Sequence, residues 1–253
     1  MKRRAPPRIG CAGWSVPALH KHLLPAEGSG LERYAAVFNA VEINSSFYRP
    51  HQHSTYTRWA ESVPETFRFS VKIPRTITHD SRLKGIASEL SAFLEQVSGL
   101  GDRLGGLLVQ LPPSLAFDTR AANAFFKRLR GQLPPNVAIA CEPRHLSWFA
   151  PKVEAFWSRH SVNRVGADPA VTPDAAVPGS AGQWRYWRLH GAPQMYYSAY
   201  PTEMLAALAE TLAALEMAAQ PWVIFDNTAA GHAVGNAYQL MELVQAKGKA
   251  SRA

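Results

Sequence analysis

Eight short apolar segments recur along the chain at about 8–12, 40–44, 67–72, 105–110, 137–142, 162–168, 185–190 and 222–227. Stretches of helical period separate them, at about 31–38, 52–62, 83–98, 119–130, 151–160, 202–218 and 233–246. Short buried strands alternating with amphipathic helices specify βαβ units and a parallel sheet with right-handed crossovers. Eight strands point to closure, so the expected fold is α/β, a single-domain TIM-type (β/α)8 parallel barrel. One crossover lacks a helical pattern: Pro169 to Gly182 is rich in Pro, Gly, Ala and Asp and reads as an irregular loop.

Nearly every apolar segment ends in a side chain able to do chemistry. Glu42 and Asn44, Lys72, Gln110, Glu142, Asp168, His190, and Asp226 with Asn227 all fall at strand ends. In a parallel barrel those ends converge on one rim, and residues far apart in sequence meet in one pocket. If the terminal polar groups point inward, period-two alternation also turns Ala40, Ser70, Gly106, Leu108, Ala138, Ala140 and Gly166 inward. Arg68, Arg164 and Arg188 follow them and need carboxylate partners there.

The net charge of +8 resides mostly at the ends, because six of the 27 basic residues lie in 1–4 and 246–253, where there is no acid. The remaining 21 face 19 acids. The expected layout is therefore a basic tail 1–8, a barrel 9–245 and a basic tail 246–253. Such tails leave a nucleic-acid or other polyanion contact open, while a small-molecule ligand is the expected partner. No membrane-length apolar run and no signal core follow the Met1-Lys2-Arg3-Arg4 start, so the expectation is a cytoplasmic protein. Cys11 and Cys141 have no metal-ligand spacing and read as small core residues, with Cys141 facing the helices.

Glu42 and Glu142 form the expected acid/base pair across the mouth, one held protonated by burial. Lys72 is a base, a Schiff-base former, a holder of an anionic group or a salt-bridge partner of Glu42, and the sequence leaves these open. Glu142-Pro143-Arg144-His145 with Ser147-Trp148 combines an acid, a planar fork of donors, a titratable ring and a stacking surface. His145 and His190 are proton-transfer candidates. Trp14, Asn44, Tyr48, Gln110, Arg144, Trp148, Asp168 and Asn227 are the substrate-binding candidates. The loop from Asn227 through Gly231 to Asn236 delivers a helix start, a recurrent phosphate site in barrels of this type. No GxGxxG or Walker pattern occurs, and no cofactor is assigned.

Gly10-Cys11-Ala12-Gly13-Trp14-Ser15 resembles the opening motif of the YecE-like family, whose members form TIM-type barrels and whose activity is not generally established. The resemblance runs on through Tyr34 and Phe38 to Val41-Glu42-Ile43-Asn44-Ser45-Ser46-Phe47-Tyr48, then Phe67 to Arg75 with Thr78-His79. It resumes at Gln110-Leu111-Pro112-Pro113, Glu142 to Trp148, Arg188-Leu189-His190-Gly191, and Phe225-Asp226-Asn227 with Gly235-Asn236-Ala237. Cys11 and Ala12, Pro143 and Asp226 depart from the pattern. At the last, the family frequently has Asn, so the rim here gains a carboxylate that would weaken an anion site or create a cation site.

The expected function is a metal-independent acid/base enzyme acting on a small anionic or sugar-like substrate. One alternative is a divalent-metal barrel enzyme of isomerase or endonuclease-like type, with Glu42, Glu142, His190 and Asp226 as ligands. Another is a non-catalytic ligand-binding or adaptor barrel.

Overall fold

The computed structural model describes residues 6–179 and 182–250. Its strands are β1 (Arg8–Cys11), β2 (Ala40–Ile43), β3 (Arg68–Lys72), β4 (Leu104–Gln110), β5 (Ala138–Glu142), β6 (Val162–Arg164), β7 (Gly166–Asp168), β8 (Trp184–Leu189) and β9 (Gln220–Phe225). All pairings are parallel, in the orders β1-β9-β8-β7 and β2-β3-β4-β5-β6. The expected sixth strand is the pair β6 and β7, interrupted at Val165, whose N–H still donates to Cys141 O at 2.8 Å. The architecture is the expected TIM-type barrel, built as two sheets rather than one unbroken hydrogen-bonded ring.

The second seam, between β1 and β2, is closed mainly by side chains. The Asn39 amide accepts from Ile9 N–H and donates to Pro7 O, both at 2.9 Å. The buried Tyr34 hydroxyl accepts from Cys11 N–H at 2.8 Å and donates to Ala40 O at 3.1 Å. Above them, Gly13 N–H donates to Glu42 O at 2.8 Å beside the single bridge between Ala12 and Glu42. An amide and a phenol thus take over the pairing that a backbone ladder normally supplies.

The helices are α1 (Gly30–Ala35), α2 (His53–Glu61), α3 (Ala87–Val97), α4 (Thr119–Gln132), α5 (Glu154–His160), α6 (Thr202–Ala214) and α7 (His232–Ala250). Their starts follow local chemistry: Ser29 and Glu32 form a capping box on α1, and Asp118 accepts from Arg120 and Ala121 N–H on α4. The crossover from β7 to β8 holds only a 3-10 turn at Pro173–Ala176, in keeping with its composition. Arg8 belongs to β1, and α7 runs on to Ala250, so the expected tails are shorter than residues 1–8 and 246–253. Residues 1–5 and 251–253 of those tails lie outside the described residues.

Val41, Val71, Leu107, Val109, Ile139 and Cys141 pack outward under the helices, while Ala40, Leu108, Ala140, Trp184, Tyr186, Trp222 and Ile224 fill the lumen. Small side chains on β2 and β5 make room for the aromatics of β8 and β9. Gly105 and Gly106 show the tightness: a Cβ on either would come within 2.6 Å of Trp222 or Trp184, respectively. Alternation breaks at the start of β4, where the β3–β4 register shifts and both Gly105 and Gly106 face lumen tryptophans, and again at the sixth strand. There Val165 and Ala167 face the lumen, whereas a Cβ on Gly166 would meet Pro178 outside. A one-residue change of phase turns every side chain to the opposite face.

Candidate functional site

Arg188, on β8, is the hub of the barrel mouth. Its guanidinium donates to Glu42 Oε2 and Oε1 at 3.0 and 2.8 Å, to Glu142 Oε2 at 2.6 Å and to Asp226 Oδ2 at 2.9 Å. Arg188 and Glu42 are both 0 % exposed. Tyr186, two residues earlier on the same face, donates to Glu42 Oε2 at 2.9 Å and pairs with Ser70 at 2.6 Å. Burial alone would lower the Arg188 pKa, but Glu42, Glu142 and Asp226 raise it well above the usual guanidinium range.

His190 lies above this layer, with Nδ1 3.0 Å from Asp226 Oδ2 and Nε2 3.2 Å from Glu142 Oε1. Arg144 donates through Nε to the same Glu142 oxygen at 2.8 Å and brings Nη2 within 3.3 Å of His190 Nε2. Burial opposes the imidazolium, yet the Glu142 charge and the hydrogen bonds to Asp226 and Glu142 raise the His190 pKa. Burial likewise opposes the Glu142 carboxylate, but Arg188, His190 and Arg144 hold its pKa well below the usual range. Glu142 is therefore an ionised anchor. Of the expected acid/base pair, Glu142 is not the member held protonated by burial, because the guanidinium of Arg188 lies against it in the lumen.

Lys72 is buried at the end of β3, its ammonium 4.0 Å from the centroid of the Phe47 ring. Among the described residues it makes no ion pair within 4.0 Å, so the expected bridge to Glu42 is absent; Arg188 holds that carboxylate instead. Burial and then the charge of Arg188 lower its pKa to about 8, against a partial offset from Glu42.

The remaining candidates divide among different surroundings. Trp14, Asn44 and the 74 % exposed Tyr48 line a cavity of about 760 Å³ at the ends of β1 and β2, with Arg49, His51 and Trp59. Glu142, Arg144 and His190 line a separate cavity of about 190 Å³ with Pro143, Phe149 and Met195. Gln110 is buried opposite Glu142 in the β4–β5 register. Asp168, carried outward by the changed phase of β7, accepts from the Tyr200 hydroxyl at 2.7 Å instead of reaching the mouth.

Three expectations meet structural roles. His145 turns its Nδ1 to Ser147, accepting from that residue's N–H at 3.2 Å and lying 2.9 Å from its Oγ, which shapes the loop after β5. Trp148 is buried against Phe117, Phe156 and Trp157 and donates to Leu115 O at 2.8 Å, so it offers no stacking face. Asn227 is buried and its amide donates to Ser198 O and Asn236 Oδ1, both at 3.0 Å. At the start of α7, Gly231 and His232 are half-buried and a Cβ on Gly231 would lie 2.8 Å from Pro17, while Thr228 to Ala230 before them are exposed.

The strand-end criterion passes over Arg188, which lies inside the end of β8. Alternation turns it inward and asks for carboxylates there, but it does the same for Arg68 and Arg164, so it marks Arg188 without singling it out. Of the other two arginines, Arg68 bonds the carbonyls of Glu65 and Phe67 at the opposite end of the barrel, and Arg164 bonds those of Asp174 and Val177 outside it. Asp226 is committed to Arg188 and His190 rather than open at the rim.

Fold and mouth together define a TIM-type α/β barrel with an arginine-centred ionic cluster at the carboxyl ends of its strands. The chain belongs to the DUF72 family, proteins of unknown function, whose model matches residues 8–253. It is 33 % identical over 169 residues to the UPF0759 protein YecE of Escherichia coli K12, covering 67 % of this chain and 60 % of that one. The UPF0759 protein YunF of Bacillus subtilis is 28 % identical over 152 residues, covering 56 % of this chain and 52 % of that one. The aligned region thus spans about 60 % of the length of the E. coli relatives. A DUF72 structure from Enterococcus faecalis superposes with a TM-score of 0.78 at 24 % identity, covering 94 % of this chain and 95 % of that one. One from Thermotoga maritima gives 0.76 at 24 %, covering 94 % and 98 %. These two establish the fold. Among the described residues, no helix is long and apolar enough to cross a membrane.

Proposed function

We propose that this barrel is an enzyme of acid/base type acting on a small anionic substrate seated in the 190 Å³ cavity beside Glu142, Arg144 and His190. The observation that carries the proposal is His190: it lines a cavity at the mouth and is held between two carboxylates that favour its protonated form. His190 then serves as general acid. Arg144, the outermost cation of the cluster, meets the substrate's negative group through its free donors. Glu42, Glu142 and Asp226 act as positioning residues. Lys72, buried against Phe47 with its pKa lowered to about 8 and, among the described residues, no ion pair within 4.0 Å, lies outside the lining of this cavity and is assigned no step there.

A metal-dependent reading would require Glu42, Glu142, His190 and Asp226 to converge on an ion. The Arg188 guanidinium occupies the position between the three carboxylates, and none of the described His, Cys, Asp and Glu residues form a group of three able to hold a metal. The metal-independent reading therefore has the better support.

A thermal-shift screen of small carboxylates, sugar phosphates and sugars tests the proposal. Ligand at about 100 times its Kd adds about 2.7 kcal/mol of stability. The expected response comes from small carboxylates and vanishes in Arg144→Gln, while His190→Gln retains binding and loses turnover of the bound compound. A shift unchanged in Arg144→Gln, or turnover unchanged in His190→Gln, overturns it.

A further inference from the structure

At the amino-terminal end of the barrel, opposite the mouth, lies a cavity of about 440 Å³ lined by Arg8, Arg68 and Arg103, with Asn136, Gln220 and Trp222. Conserved groups at that end of such barrels ordinarily serve stability, and a structural arginine cluster there is expected to be neutralised by carboxylates. Here it is not. Glu65 and Asp102 border the cavity, but among the described residues no ion pair within 4.0 Å joins any of the three arginines to an acid.

Their hydrogen bonds leave most donors free. Arg8 Nη1 donates to Asn39 O at 3.1 Å and Thr66 O at 2.8 Å, and Arg68 Nη1 to Glu65 O at 2.6 Å and Phe67 O at 2.8 Å. The Nε of Arg103 is buried without any hydrogen-bond partner. A guanidinium carries five N–H donors, so the set offers many more donors than the carbonyls take up. The Arg8 guanidinium also lies 5.8 Å from the centroid of the Trp222 ring, which makes one wall. Burial, and then repulsion from Arg68, push the Arg8 pKa down to about 10.

We infer that this cavity is a second binding site, distinct from the barrel mouth, for a phosphate group or a small phosphorylated metabolite held by Arg8, Arg68 and Arg103. A doubly charged oxyanion supplies the missing countercharge, and its several acceptors match planar guanidinium forks. Asn136 and Gln220 add neutral polar groups for the remainder of the ligand.

Isothermal titration of the full chain with inorganic phosphate and with pyrophosphate, against sodium chloride at equal ionic strength, tests this. The expected result is saturable binding of one anion. It weakens about tenfold or more in Arg68→Gln and in Arg103→Gln, since each loses a charged donor, and stays unchanged in Arg144→Gln. Circular dichroism melting confirms that both variants are folded. No saturable heat, wild-type affinity retained in Arg68→Gln and Arg103→Gln, or loss of binding in Arg144→Gln would each overturn the inference.

Discussion

Arg188 and Glu42 meet side by side inside the barrel, joined by two hydrogen bonds of 3.0 and 2.8 Å, with neither side chain exposed to solvent. They stand on β8 and β2, and the bond they form spans the lumen. A planar fork of donors is the group that can satisfy one carboxylate twice while reaching two others. Replacing Arg188 by Met strands Glu42 and leaves Glu142 and Asp226 dependent on Arg144 and His190. A loss of about 4 kcal/mol or more is expected in denaturant unfolding, and Arg188→Lys is expected to recover only a minor part of it.

Glu142→Gln removes the charge shared by Arg144, Arg188 and His190. Because the native pKa of Glu142 is depressed, its stabilising effect is present above the unfolded-state value and disappears as the pH falls. The variant is expected to lose about 3 kcal/mol at neutral pH and to show a shallower acid limb in a plot of stability against pH. Wild-type stability in Glu142→Gln would return Glu142 to the proton-transfer candidates.

Asp226→Asn keeps the shape of the side chain and removes a charge next to His190 Nδ1. Since the hydrogen bond to Asp226 helps to raise the His190 pKa, nuclear magnetic resonance titration of the ring should give a lower value in the variant. An unchanged titration would assign the raised pKa to Glu142 alone.

Lys72 gives a slope of the same sign as Glu142 but at alkaline pH, because its charged form is the one that burial disfavours. Its native pKa, lowered to about 8, lies below the unfolded-state value, so the unfolded chain binds more protons between the two. Stability should therefore rise with pH from about 8 to about 10.4, as far as this group is concerned. Lys72→Met should abolish that rise and gain stability at neutral pH. If the two proteins show parallel stability curves across this range, Lys72 is not the source.

The order of short apolar strands and amphipathic helices settled the barrel, because side-chain periods of 2 and 3.6 are local properties that each segment carries by itself. Glu42, Lys72, Glu142 and His190 were legible at the mouth for the same reason: parallel strands must deliver their ends to one rim. The irregular crossover before β8 and the outward turn of Cys141 were equally local. What the tertiary structure alone decided was partnership. Three carboxylates from β2, β5 and the end of β9 chose Arg188 over Lys72, and that choice depends on lumen positions that no local pattern encodes. The break at Val165 reversed the phase of β7, sending Asp168 to Tyr200 instead of the mouth. His145 and Trp148 have residue types suited to chemistry but lie on a loop whose own hydrogen bonds and aromatic packing claim them. Sequence alone told which strand ends meet at the rim; only the folded barrel decided which side chains point into it, which of them neutralise one another and which, like Lys72 and the outer face of Arg144, are left with bonds to make.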